Sequence, residues 1–566
     1  MKDKFLSAVT IIVGVAVVGG LVFAVAVPSL LRARVDVIPR GMPLEQYQAP
    51  APATYPAAPQ GAHDRFAMGG ERPPAKLALR EMAERHSPAM NTEAYARIYD
   101  NAFLAVTRNP LSTFSIDVDT AAYANVRRFL NAGQLPPPDA VRIEELINYF
   151  RFDYPSPEGD APFSVSTSVA ACPWKPAHKL VHIGLQARRL DDQALPPRNL
   201  VFLLDVSGSM SDPAKLPLLQ ASMNLLVEQL TARDRVAIVV YAGASGLVLP
   251  ATPGDQKGPI RAALDALHAG GSTAGGAGIQ LAYEVAREGF IEGGVNRVIL
   301  ATDGDFNVGI TSPGDLVRLI EEKRKTGVFL SVLGFGMGNL KDATMEMLAD
   351  KGNGNYAYID SLAEGRKVLV TEAGSTLVTV AKDVKVQVEF NPRTVSAFRL
   401  IGYENRVLAH EDFNDDRKDA GDIGAGHTVT ALYEVVPAGV ALEAGSVDPL
   451  KYQQPRAATA AAGSGELATI KLRYKAPDGD TSTPLLASVR DEGGEASANL
   501  RFAAAVAEFG MLLRDSEHKG TASFAQALEL GRGATGDDHD GLRTEFVRLV
   551  EQAQRLAETK RAVVGS

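Results

Sequence analysis

The run Asp205-Val206-Ser207-Gly208-Ser209 sets one carboxylate and two hydroxyls at alternate positions of a short segment. Gly208 permits a backbone tight enough to bring those oxygens together. One carboxylate and two hydroxyls form a hard, oxygen-only donor set, suited to Mg²⁺ and poorly to zinc or copper. Asp and Ser are also ordinary helix-capping residues, so the run alone leaves a capping role open. Two further stretches shift the balance. Gly270-Gly271-Ser272-Thr273-Ala274-Gly275-Gly276 opens a helical stretch and offers a hydroxyl, and Thr302-Asp303-Gly304-Asp305 ends an apolar run with a carboxylate.

The elements that must hold these residues follow from the hydrophobic pattern. Val201 to Leu204, Val236 to Tyr241, Val298 to Ala301 and Val328 to Leu333 are short apolar runs separated by amphipathic helical stretches. Strands buried on both faces by helices read this way, which predicts a parallel sheet. Leu219, Met223, Leu226 and Leu230 share one helical face, and Ser312 is placed to cap a helix that Gly327 ends. All three polar stretches then fall on loops at one edge of the sheet, where open α/β sheets bind ligands.

In order and spacing these residues resemble the metal-ion-dependent adhesion site of von Willebrand factor type A (VWA) domains. The resemblance implies an α/β fold, a Rossmann-like, doubly wound, mainly parallel sheet. It implies a divalent ion surrounded by Asp205, Ser207, Ser209, Thr273 and Asp303, with the three hydroxyls binding directly and the two aspartates acting largely through water and hydrogen bonds. Mg²⁺ is the implied cofactor, with Mn²⁺ or Ca²⁺ as alternatives. The implied partner is a protein whose Glu or Asp side chain fills an open or water-filled position on the ion. From about residue 91 to 560 the chain further resembles the YfbK-type group of VWA proteins, through Asn109-Pro110-Leu111-Ser112-Thr113-Phe114-Ser115-Ile116-Asp117-Val118-Asp119-Thr120, Leu146-Ile147-Asn148-Tyr149-Phe150 and Asn414-Asp415-Asp416-Arg417. A lipid-attachment cysteine expected in some relatives is replaced by a longer apolar span.

Texture divides the chain into blocks. Residues 1–34 carry an uncharged apolar run from Phe5 to about Val27, long enough for the roughly 20 residues of a membrane-crossing helix, with Ala24-Val25-Ala26 as a cleavage-like pattern. They read as a transmembrane anchor or a cleaved signal, and both place the body outside the cytoplasm, in the periplasm or beyond the cell. Residues 35–90 are a Pro- and Ala-rich disordered linker. Residues 91–188 read as a small α+β domain, 198–377 as the metal-binding domain, 384–497 as a β-rich domain with alternating strands, and 498–560 as a helical segment.

The net charge of -9 gives no sequence-wide reason to bind phosphate backbones, so nucleic acid is an unfavoured partner. The one cysteine, Cys172, excludes an intramolecular disulfide and reads as a packed small hydrophobe. No GxSxG, HExxH or GxxxxGK[ST] motif is present, and Gly334-Phe335-Gly336-Met337-Gly338-Asn339 lacks the third glycine of a dinucleotide fingerprint and reads as a flexible loop. The expected function is therefore a non-enzymatic, envelope-tethered, metal-dependent protein-binding module without a nucleotide. The alternatives are a subunit or regulator of an ion channel or transport complex, and a metal-assisted hydrolase. Among the remaining candidates, Asp119-Thr120 reads as a helix cap beside Asp117, Asp412 to Asp422 as a solvated acidic loop, and Asp537-Asp538-His539-Asp540 as a polar helix start. The acidic loop also motivates a self-closed state, in which one of its carboxylates reaches the metal site.

Overall fold

The computed structural model describes residues 92–190, 195–242, 245–270, 276–304, 313–372, 378–441 and 457–564. The apolar segment 1–34, the linker 35–90, Thr273, Asp305 and the predicted cap Ser312 lie outside the described residues. Among the described residues no helix is long and apolar enough to cross a membrane.

A six-stranded sheet occupies residues 198–359, ordered across the sheet as Tyr356–Ile359, Phe329–Phe335, Val295–Thr302, Arg198–Asp205, Arg235–Tyr241 and Ser245–Pro253. The first five are parallel, and Ser245–Pro253 closes one edge antiparallel. In the strand Arg198–Asp205, Val201 and Leu203 pack with the helices Gly276–Glu288, Pro313–Arg324 and Asp342–Lys351. Its alternate residues Leu200, Phe202 and Leu204 pack with Leu216–Glu228 and Lys257–Asp265. Helices thus cover both faces, as the continuous apolar runs predict. Leu219, Met223 and Leu226 are buried on one face of the helix Leu216–Glu228, and Leu230, two residues past its end, is buried with them.

The blocks before and after this sheet are interleaved in space. Leu111–Ser115 pairs antiparallel with Thr379–Phe390, which also pairs with Glu466–Lys475. Lys179–Ala187 pairs with Phe163–Ala171 on one side and with Thr428–Pro437 on the other. Two antiparallel sheets result, each built from both blocks, enclosing a core that includes Phe114, Ile183, Val388, Phe390, Tyr433 and Leu472. Alternation in a strand dictates which face is buried, not which strand lies beside it. The helices Ala121–Asn131, Ile143–Asn148, Ala498–Arg514, Phe524–Arg532 and Leu542–Val564 gather around Tyr149, Phe150, Phe502 and Phe546. Phe502, Val506, Phe509 and Leu513, spaced along one helix, and Phe546 and Leu549 on another, are therefore core. Arg127 ties three segments together: its guanidinium donates to Asp360 at 2.7 Å, to Glu364 at 2.7 Å and to Glu545 at 3.0 Å.

Three local expectations are corrected. The helix Ala121–Asn131 carries no side-chain cap from Thr120; Ala122 N–H instead donates to Glu145 Oε2 at 2.8 Å. Asp119 Oδ1 accepts from Tyr356 N–H at 2.8 Å, because the helix starts against an edge strand whose backbone needs an acceptor. The acidic loop is pinned as well as solvated: Asp416 meets Arg473 and Ser482, Asp419 meets Arg324, and Asp422 accepts from Asp383 N–H. Arg324 ends the helix Pro313–Arg324, which runs back from the carboxyl edge of the sheet. The loop therefore docks at the amino edge, opposite Asp205 and Asp303, and the self-closed state is not the one observed. Asp538 does start the last helix, accepting from Arg543 N–H at 3.0 Å and Thr544 N–H at 2.8 Å.

Candidate metal centre

Asp205 is the last residue of its strand, and the chain leaves it through a single 3₁₀ turn over Gly208–Ser211 before the helix Leu216–Glu228. Asp205 Oδ1 accepts from Ser207 N–H at 2.9 Å, which folds the turn back over the strand end. The Ser207 and Ser209 hydroxyl oxygens then stand 3.0 Å apart. On the adjacent parallel strand, Thr302 Oγ1 donates to Asp205 Oδ2 at 3.2 Å, so Asp303 begins its loop beside the Asp205 turn. Asp205, Ser207 and Asp303 are buried, whereas Ser209 is exposed and opens the cluster to solvent.

Four of the five predicted residues are thus brought together, and Thr273 lies outside the described residues. Its flanks are held close: Gly270 N–H donates to Val206 O at 2.8 Å. On the far side, a Cβ on Gly278 would lie 3.0 Å from Tyr241 Cβ, so the start of helix Gly276–Glu288 packs directly beside the end of the next strand.

Sequence reasoning missed Lys215, Thr302 and Asn339. Lys215 Nζ donates to Asp303 Oδ2 at 2.8 Å and to Asn339 Oδ1 at 3.1 Å. A lysine just ahead of the helix Leu216–Glu228 reads as a surface residue; the only signal was its place between two polar loops of one sheet edge. The loop Gly336–Asn339 is also not a free one. Tyr358 Oη donates to Gly336 O at 2.6 Å, Gly338 N–H donates to Glu93 Oε1 at 2.8 Å, and Thr92 N–H donates to Gly338 O at 2.7 Å.

Burial pushes the Asp205 carboxyl above its ordinary range, with the Asp303 charge adding to it against hydrogen bonds from Ser207 and Thr302. Burial acts on Asp303 in the same direction, but hydrogen bonds from Lys215, Asn339 and Ser209 outweigh it and hold that carboxyl below the usual range. Two carboxylates and one ammonium leave a net charge of about one unit negative beside two hydroxyls. A hard divalent cation would relieve the cost of burying Asp205, and hydroxyl and carboxylate oxygens are what Mg²⁺ takes, so the residues present fit such an ion.

Residues 199–369 match the family model described as von Willebrand factor type A domain, residues 89–182 the one described as von Willebrand factor, and residues 375–556 the one described as Uncharacterized protein YfbK, C-terminal. The Escherichia coli (strain K12) protein described as Uncharacterized protein YfbK is 45% identical over 480 residues, spanning 84% of this chain and 83% of that protein. The chain belongs to the YfbK family. Human inter-alpha-trypsin inhibitor heavy chain H4 is 31% identical over 163 residues, 27% of this chain and 17% of its own. A solved von Willebrand factor type A structure from Catenulispora acidiphila shares 15% identity, covering 79% of this chain and 91% of that chain with a TM-score of 0.36. The six-stranded sheet of this YfbK-family chain is accordingly a VWA domain. Domains of this type are protein-interaction and adhesion modules, generally non-enzymatic, and often hold a divalent metal.

Proposed function

We propose that this chain is an envelope-tethered adhesion or scaffold protein that captures an acidic side chain of a partner protein through Mg²⁺. The observation that carries the reading is the convergence, at the carboxyl edge of the VWA sheet, of Asp205, Ser207, Ser209 and Asp303, with the two serine hydroxyls 3.0 Å apart. Ser207, Ser209 and Thr273 would hold the ion, and Asp205 and Asp303 would orient those hydroxyls and the ion's waters. The bound ion supplies a Lewis-acidic position for a carboxylate from outside. Binding fits better than hydrolysis because both aspartates are already engaged, Asp205 by Ser207 and Thr302 and Asp303 by Lys215. Neither is placed as a general base. The apolar run from Phe5 to about Val27 supports a membrane tether, with the body in the periplasm or outside the cell.

Calorimetric titration of the full-length chain with Mg²⁺ and with Mn²⁺ tests the reading. One ion should bind, and Asp205→Ala and Thr273→Ala should each weaken it by about 10- to 100-fold, as loss of groups that orient or support a metal's ligands does. Retention of parental affinity in both variants would remove the site from this edge of the sheet.

A further inference from the structure

Lys215 is a buried cation in a site whose other charges, among the described residues, include the carboxylates of Asp205 and Asp303. Its side chain is 9% exposed and Asp303 is 0% exposed, with Nζ 2.8 Å from Asp303 Oδ2. The neighbouring loop is shaped around it. A Cβ on Gly336, which sits at φ +74°, would lie 2.4 Å from both Cγ and Cε of Lys215, so only glycine leaves a channel for the lysine stem. Asn339 accepts from the ammonium at 3.1 Å. Gly304, the residue after Asp303, sits at φ +107°, and its Cβ would lie 2.5 Å from Asn339 O. The loop that carries Asn339 is therefore packed against the turn that carries Asp303. It is braced by the bonds already described, given by Tyr358 and Thr92 and accepted by Glu93. Two glycines and these braces place one ammonium against one carboxylate.

We propose that Lys215 is a positioning residue of the metal centre: a resident positive charge that holds Asp303 back from direct ligation and leaves a bound divalent ion in need of an external carboxylate. The proposal rests on the metal-binding reading above. With Asp205, Asp303 and Lys215 in place, a divalent ion brings the cluster to about one unit positive; without Lys215 the same cluster is neutral. A like charge a few ångströms away opposes ion binding, and the same excess charge draws in an anion. Lys215 thus trades affinity for the ion against affinity for the acidic partner.

The test is calorimetry of the full-length chain with Mn²⁺ alone and with Mn²⁺ plus acetate as the carboxylate probe. Lys215→Met keeps the length and packing of the stem without the charge, and should raise Mn²⁺ affinity at least about tenfold while abolishing the enhancement by acetate. Lys215→Arg, which keeps the charge, should stay within about threefold of the parent. Gly336→Ala, which obstructs the lysine channel, should shift Mn²⁺ affinity in the same direction as Lys215→Met, and it decides the question should the methionine variant fail to fold. Mn²⁺ binding that appears only when Lys215 is removed or displaced also supports the proposal. A parent that binds Mn²⁺, with Lys215→Met and Gly336→Ala of unchanged or weaker affinity, overturns it and leaves the metal reading standing. Absence of Mn²⁺ binding in the parent and every variant overturns the metal reading itself.

Discussion

The two edges of the central sheet both bury aspartates and use them in opposite ways. At the amino edge Arg406 faces Glu346 at 2.9 Å, Asp117 at 3.5 Å, Asp119 at 3.6 Å and Asp350 at 3.7 Å. Burial pushes Asp119 up, with the Asp117 charge adding to it against the pull of Arg406. These groups belong to the amino-terminal segment, the helix Asp342–Lys351 and the loop after Val395–Ile401, so the cluster is a tie between parts of the chain. At the carboxyl edge the acids are fewer, the hydroxyls face one another, and Ser209 remains open to solvent. Carboxylate density therefore does not mark the site. Among the described residues no group of three or more His, Cys, Asp or Glu side chains is arranged to hold a metal, and the proposed centre differs from such a group in that its direct donors would be hydroxyls. Paired hydroxyls at an open strand end distinguish the proposed binding site from the ion-pair network of the amino edge.

The contrast can be broken most strongly at Arg406. Arg406→Met leaves four acidic groups of the amino edge without their shared cation, and removal of one partner from a buried ion pair costs about 3–5 kcal/mol. Denaturant unfolding should show that loss, while Mn²⁺ affinity at the opposite edge stays at the parental value. A matching loss of metal affinity would mean that the two edges are coupled.

A smaller effect is expected with pH. Burial pushes Asp422 up to about 7, the nearby Asp383 and Asp419 charges adding to it against a backbone hydrogen bond from Asp383. An unfolded aspartate titrates near about 3.9, so between about pH 4 and pH 7 the folded chain binds more protons than the unfolded one. This contribution to stability is full below about pH 4 and is lost as pH rises through about 7. Asp422→Asn should flatten that part of the profile, with urea midpoints of variant and parent diverging as pH rises; parallel profiles would contradict it.

The smallest effect should come from Asp415, whose ring of bonds runs to the exposed Arg417. Asp415→Asn is expected to leave both the urea midpoint and the Mn²⁺ titration unchanged, since exposed pairs contribute little. A clear loss in either would assign this acidic loop a role that its position at the amino edge does not indicate.

Much of this was legible in the residues. The apolar runs 201–204, 236–241 and 298–301 fall within strands of the parallel sheet, and 328–333 begins one residue ahead of the strand Phe329–Phe335. That Asp205, Ser207, Ser209 and Asp303 lie together at one edge was legible because each stands at or just past the end of one of two neighbouring parallel strands. Lys215 was not, since nothing local distinguishes a lysine that turns inward from one that faces water. Asp119 was misread for a related reason: its local position fits a cap, but the acceptor was needed by Tyr356, 237 residues away.

The sequence by itself determined the periodicities, and through them the doubly wound sheet and the edge at which its polar turns collect, because burial on one face or two is written into neighbouring residues. Only the tertiary structure decided that strands from before and after the VWA domain share two sheets, that Gly336 opens a channel for Lys215, and that the acidic loop docks at the far edge. Those choices depend on pairing between strands, on the space left by a missing Cβ, and on charges that meet across long separations in the chain, none of which leaves a periodic trace.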